Sequence, residues 1–166
     1  MISHQTNYRV IYADTDNMGI VYHANYLKWF EVGRTEMFRS LGMTYKAIEE
    51  KGFSLPVAEA YCKYLSSAEY DDVITIETTV DTAFRAGMKF DYRITRAEDG
   101  ENLVKGFTKH AFVDKEGRIV RPPVFIKELL CGDHVRTVRK NQAGACAPER
   151  RGVHGKRAQA GERSHF

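Results

Sequence analysis

Residues 10–38 read VIYADTDNMGIVYHANYLKWFEVGRTEMF, and a change of pattern inside this run decides the architecture. Just before and into it, residues 7–13 (NYRVIYA) are aromatic and β-branched, which predicts a strand leading into an acidic loop. That loop holds Asp14, Asp16 and Asn17, and Gly19 follows. From Asn25 the apolar residues switch to helical spacing. Tyr26, Phe30, Gly33, Met37 and Leu41 recur at steps of three and four, while Lys28, Glu31, Thr35 and Arg39 lie opposite. A helix over about residues 24–41 is expected, with Asn25 as its N-cap and Gly42 as its stop. Glycine inside a helix costs about 1 kcal/mol relative to alanine, so Gly33 on the apolar stripe implies close packing against another backbone.

Working outward, a short helix is expected over Thr44–Glu50, ended by Gly52. Everything after it reads as strands: FSLPVAEAYCKYL, long and extended but poorly alternating, then DVITIETTV, GMKFDYRITRA and LVKGFTKHAFVD, and a brief RIV. The third is the cleanest, with Met88, Phe90, Tyr92 and Ile94 alternating with Lys89, Asp91, Arg93 and Thr95. Asp99-Gly100 and Glu116-Gly117 mark hairpin turns, and Pro122-Pro123 precede a terminal helix, VFIKELL. The expected order is one strand, one long helix and about four consecutive antiparallel strands. This is an α+β domain in which a single helix must be covered by the meander that follows it.

A chain of 166 residues is one domain by length, and its formal net charge of +3 is too mild to argue for nucleic acid. Cys62, Cys131 and Cys146 form neither a CxxC pair nor a ligand cluster, which fits a reduced, cytoplasmic protein without a disulfide framework. The start has no signal-peptide order, and no apolar run is long enough to cross a bilayer. Residues 133–166 differ from the rest, with eight Lys and Arg against three Asp and Glu, many Gly and Ala, and few large apolar residues. Residues 1–132 are therefore the expected domain, and 133–166 a basic, disordered tail.

GxSxG, HExxH, Walker and GxGxxG signatures are absent, and the histidines show no metal-ligand spacing. What remains is a pair of carboxylates just ahead of a helix start. A helix N-terminus carries unpaired N–H groups and partial positive charge, which can polarise a carbonyl oxygen. A carboxylate beside it supplies a nucleophile or base, so the two together can serve acyl transfer.

The spaced pattern D-T-D, G-I-V-Y-H-A-N-Y and then Glu31-x-x-Arg34 closely resembles the 4-hydroxybenzoyl-CoA thioesterase-like branch of the hot-dog-fold acyl-CoA thioesterases, including those associated with Tol-Pal gene clusters. The resemblance extends to about residue 131 and implies a hot-dog fold, an antiparallel sheet wrapped round one long helix. It implies hydrolysis of acyl-CoA thioesters to free acid and CoA, with no metal and no redox cofactor. The family's carboxylate falls on Asp16, as nucleophile or general base. Its carbonyl-polarising backbone N–H falls on His23.

The resemblance further implies a homodimer or homotetramer with its active site between subunits. Tyr22 and Tyr26 are candidates for the substrate-binding wall, with Trp29 and Phe30 expected in the core. Arg85 and Lys89, together with Lys105 and Lys109, are candidates for the CoA phosphates. Asp14 is expected to set the loop, Glu31 and Arg34 to form a helix-surface or interface pair, and His110 to be a packed, satisfied histidine. Two other readings stand beside this one. A hydratase or dehydratase on the same fold would use the His23 imidazole, and a non-catalytic acyl-CoA-binding protein would use its basic tail as an arm.

Overall fold

In the computed structural model, residues 1–81 and 87–131 are described. Strand β1 (Ile2–Arg9) is followed by a single 3-10 turn at Tyr12–Asp14, the long helix α1 (Asn25–Ser40) and a short helix α2 (Tyr45–Glu50). Four longer strands come next: β2 (Val57–Tyr64), β3 (Val73–Asp81), β4 (Met88–Arg96) and β5 (Asn102–His110). The two-residue strands β6 (Phe112–Val113) and β7 (Ile119–Val120) pair with each other, and helix α3 (Val124–Cys131) follows.

The five long strands form one antiparallel sheet in the order β1-β3-β4-β5-β2, with α1 laid across one face. The expected run of four consecutive strands therefore holds only for β3, β4 and β5. Strand β2 pairs with β5 at the far edge, not with β3. The cause is the segment 65–72, which carries the chain across the end of the sheet. It is held there by the Leu65 and Ser66 N–H groups on the Leu103 carbonyl, by Val21 N–H on the Ala68 carbonyl, and by Val10 N–H on the Asp72 carbonyl. Strand β1 also lies earlier than residues 7–13. Its alternate residues pack inward from Ile2 while Ile2 to Arg9 pair against β3, and the chain has already turned by Tyr12.

The core is the contact between α1 and the inner sheet face. Trp29, Phe30, Met37 and Phe38 meet Ile74, Ile76, Phe90, Tyr92 and Ile94, all buried. Phe30 stacks on Tyr92 with ring centroids 4.2 Å apart. Each such side chain contributes roughly 1.5–3 kcal/mol on burial. Gly33 explains how the helix comes so close. A Cβ there would stand 2.4 Å from Thr78 Oγ1 and 2.8 Å from Ile76 Cγ2. Gly42 takes φ +83°, the left-handed conformation that ends a helix most readily as glycine. Thr44 caps α2 by accepting from the Ala47 N–H.

Two further expectations change. Ala24, not Asn25, is the N-cap of α1, and it makes no side-chain cap. Arg34 is buried, because its guanidinium turns inward to donate from Nε to the Tyr45 hydroxyl at 3.2 Å. Its bond to Glu31, at 3.4 Å, is the longer of the two.

Candidate active site

The acidic loop folds into a small hairpin. Asp16 N–H donates to the Ile20 carbonyl and Gly19 N–H to the Asp16 carbonyl, each at 2.9 Å. Gly19 lies at φ +78°, a conformation L side chains rarely adopt, so the turn depends on a glycine. At its tip the Asp16 carboxylate accepts the Met18 N–H on Oδ1 at 2.8 Å. Among the described residues its second oxygen has no donor. One oxygen orients the group and the other remains open to a reacting partner.

Asp14 has a different role. Its carboxylate is fully buried, which would be costly without partners. Oδ2 accepts from the Tyr8 hydroxyl at 2.8 Å and from Ile11 N–H at 3.1 Å, while Lys28 Nζ reaches Oδ1 at 3.4 Å. Burial, then the Asp14 carboxylate, holds the Tyr8 phenol above its ordinary range, so it stays a donor. The Asp14 backbone carbonyl meanwhile accepts two bonds, from Tyr22 N–H at 2.9 Å and from the Asn25 side-chain amide at 2.8 Å. Asn25 thus ties the first turn of α1 to the hairpin that presents Asp16. The sequence placed Asn25 correctly at the helix start but suggested a cap, because capping and this longer reach use the same amide.

The helix start is electrically open. No acidic side chain lies in the first turn of α1, and among the described residues the His23 and Ala24 N–H groups have no backbone acceptor. The partial positive charge at that end is therefore available to an incoming oxygen. Tyr64, from the end of β2, donates its hydroxyl to the His23 carbonyl at 3.0 Å and so holds this turn from the opposite side. Partial burial, then the Cys62 thiol beside it, pushes the Tyr64 phenol up to about 12 and keeps it protonated. Sequence reading missed Tyr64, since nothing local shows that β2 ends against the helix start.

A cleft of about 260 Å³ opens beside His23, walled by Ile20, Val21, Tyr26, Tyr64 and Leu65. Tyr26 is its buried side, with its hydroxyl accepting the Ala68 N–H. Tyr22 is 46% exposed, does not line the cleft, and packs against the His23 ring at 4.3 Å. Asp16 also stands outside the lining. Lys89 lies on the outer face of the sheet, bonded to Asp91 at 2.7 Å. Arg85 lies outside the described residues, as does the segment 133–166. His110 is buried and satisfied, between the Leu55 carbonyl at 3.0 Å and the Thr108 hydroxyl at 2.8 Å. Among the described residues no three His, Cys, Asp or Glu side chains converge as metal ligands, and no helix is long and apolar enough to cross a membrane.

The family-wide profile of the thioesterase-like superfamily matches residues 10–136, which include the acidic hairpin, the start of α1 and the cleft. The acyl-CoA thioesterase YbgC of Haemophilus influenzae is 37% identical over 127 residues, covering 76% of this chain and 90% of that protein. Among solved structures, a hypothetical protein of Aquifex aeolicus superposes with a TM-score of 0.72 at 32% identity, covering 76% of this chain and 98% of that one. The 4-hydroxybenzoyl-CoA thioesterase of Pseudomonas sp. strain CBS-3 superposes at 0.68 with 25% identity, covering 76% and 98%. With its helix lying across an antiparallel sheet and its acidic hairpin at the helix start, the chain belongs to the thioesterase-like superfamily and has the hot-dog fold.

Proposed function

We propose that the protein hydrolyses acyl-CoA thioesters to a free carboxylic acid and CoA. The observation that carries this reading is the pair of hydrogen bonds accepted by the Asp14 carbonyl, from Tyr22 N–H and the Asn25 amide, which makes the Asp16 hairpin and the open start of α1 one unit. A thioester carbonyl oxygen docked at the His23 N–H would be polarised by the helix end as negative charge develops on it. The free oxygen of Asp16 then has two routes. It attacks the carbonyl carbon, the C–S bond breaks to release CoA thiolate, and water hydrolyses the resulting mixed anhydride. Alternatively it takes a proton from water, which attacks directly. Both routes end in carboxylate and thiol, and neither needs a cofactor, since CoA arrives as part of the substrate.

The acyl group is placed in the cleft beside His23. At about 260 Å³ it lies just below the usual range for small-molecule sites, which suits a short or aromatic acyl group. Two copies of the chain complete the site in this reading, as the family resemblance implies. The outer edge of β2, unpaired among the described residues and with Val57, Tyr61 and Tyr64 all about half exposed, offers the pairing surface. Cys62 is a free thiol, in keeping with a cytoplasmic location. The His23 imidazole has no carboxylate partner among the described residues, so nothing in the geometry favours a hydratase.

The test is thiol release from benzoyl-, butyryl- and palmitoyl-CoA by wild type, Asp16→Asn and His23→Ala. Asp16→Asn should keep the fold and lose turnover by several powers of ten, because an amide is neither base nor nucleophile. His23→Ala keeps its backbone N–H and should lose only about tenfold, equivalent to about 1.4 kcal/mol. Equal collapse of both variants would move the chemistry onto the imidazole. No thiol release by wild type from any of the three would overturn the reading.

A further inference from the structure

Two N–H groups at the start of α1 are open, and each belongs to a peptide whose carbonyl is already engaged. The Tyr22 N–H is taken by the Asp14 carbonyl, and the Asn25 N–H by the Tyr22 carbonyl at 2.9 Å. That second bond closes a turn over His23 and Ala24, with Ala24 in the right-handed helical region at φ −68° and ψ −23°. Neither the His23 N–H nor the Ala24 N–H has an acceptor among the described residues. In helix-like backbone, successive N–H groups point the same way, out of the N-terminal end.

The two are supported differently. The His23 N–H shares its peptide with the Tyr22 carbonyl, which accepts from Asn25 within the turn. The Ala24 N–H shares its peptide with the His23 carbonyl, whose donor is the Tyr64 hydroxyl at 3.0 Å, 41 residues along the chain. Among the described residues no backbone N–H reaches that carbonyl. A peptide whose carbonyl accepts a hydrogen bond carries more positive charge on its N–H, because linked hydrogen bonds polarise one another. For His23 the turn itself supplies that bond. For Ala24 it comes from Tyr64.

The Tyr64 side chain is well fixed for this. Its ring stands edge-on to Tyr26 at 5.4 Å and to His23 at 6.4 Å. Its backbone is pinned by pairing with Val104 and by the Leu65 N–H on the Leu103 carbonyl. The ring also walls the cleft, so an acyl group seated there covers the bond and removes the water that weakens it. The contact lies within one copy and needs no free surface. Pairing along the backbone edge of β2 leaves it in place.

We infer that Tyr64 is a positioning residue of the reaction, holding and polarising the His23–Ala24 peptide so that the Ala24 N–H joins the His23 N–H in receiving the thioester oxygen. This rests on the thioesterase reading above. Negative charge gathers on that oxygen only in the transition state, so the hydroxyl acts on turnover and not on substrate binding.

The experiment measures thiol release from the acyl-CoA that wild type turns over fastest, with two variants at one position. Tyr64→Phe keeps the ring and loses the hydroxyl. It should lower kcat about tenfold with KM unchanged, less than the loss of about a hundredfold or more from deleting a donor outright. The second protein carries a ring-difluorinated tyrosine at position 64, whose phenol is more acidic. While protonated it donates more strongly and should match or exceed wild type. Once ionised it cannot donate. Its rate relative to wild type should therefore fall to the Tyr64→Phe level between about pH 7 and about pH 10. The wild-type phenol, held up to about 12, stays protonated throughout. The titratable groups around it, His23, Tyr26 and Cys62, are the same in both proteins and cancel in the ratio. Equal kcat in wild type and Tyr64→Phe overturns the inference and leaves the thioesterase reading standing. A loss confined to KM does the same, as does a relative rate of the difluorinated protein that ignores pH. A smaller mass of Tyr64→Phe by light scattering traces the loss to the pairing of β2 and likewise overturns the inference. No thiol release by wild type overturns the thioesterase reading and this inference with it.

Discussion

Two aspartates two positions apart do opposite work, and burial is what divides them. Asp14 is enclosed and fully partnered, so it serves as a joint, while Asp16 at the hairpin tip keeps an oxygen open. His110 shows the same logic in the core. The Leu55 carbonyl can only accept, so the proton sits on Nδ1, and Nε2 accepts from Thr108, whose oxygen lies 2.8 Å from the Tyr92 hydroxyl. Burial, with the nearby Arg34 charge adding to it, lowers the His110 pKa despite the bond to Leu55. The unfolded chain then takes up the proton first on acidification. The contribution of neutral His110 to stability is complete above about pH 6.5 and is lost as pH falls from there toward the lowered folded value. Melting temperatures measured from about pH 8 down to about pH 5 should therefore drop below about pH 6.5, and the drop should be shallower in His110→Gln. His4, also lowered by burial, accounts for part of what remains. Identical slopes in both proteins would show that His110 does not contribute.

Helix α1 and the sheet fit through one missing methyl group. Gly33→Ala gains about 1 kcal/mol of helix propensity but places a carbon inside contact distance of Thr78 and Ile76. Overpacking of this kind costs about 1–3 kcal/mol, so the variant should be less stable in urea, with the loss partly restored by Thr78→Ala. Equal or greater stability of Gly33→Ala alone would mean that the helix can lift without cost. The glycine was legible in the sequence because it interrupts an otherwise apolar stripe, and β4 was legible because its inner and outer residues alternate cleanly. The placement of β2 was not. All its residues are exposed except Cys62, so it has no buried face to set a pattern, and its partner is chosen by how residues 65–72 cross the sheet end. The helix start was legible to within a residue, whereas the hydroxyl of Tyr64 on it depends on that same crossing.

For the whole molecule, the outer edge of β2, which pairs with no strand among the described residues, predicts association. Light scattering on the intact chain should give at least twice the mass of one copy, and a single-chain mass at micromolar concentration would overturn the paired site. The Asp14 carbonyl that joins hairpin to helix has a consequence on a longer timescale. In the proposed mechanism both reacting groups lie within residues 14–25, whereas part of the cleft wall comes from residues beyond 64. On that proposal, drift in the distant wall would alter which acids the protein releases without touching the groups proposed to release them. A lineage built this way can change its diet by a few substitutions while inheriting its chemistry whole.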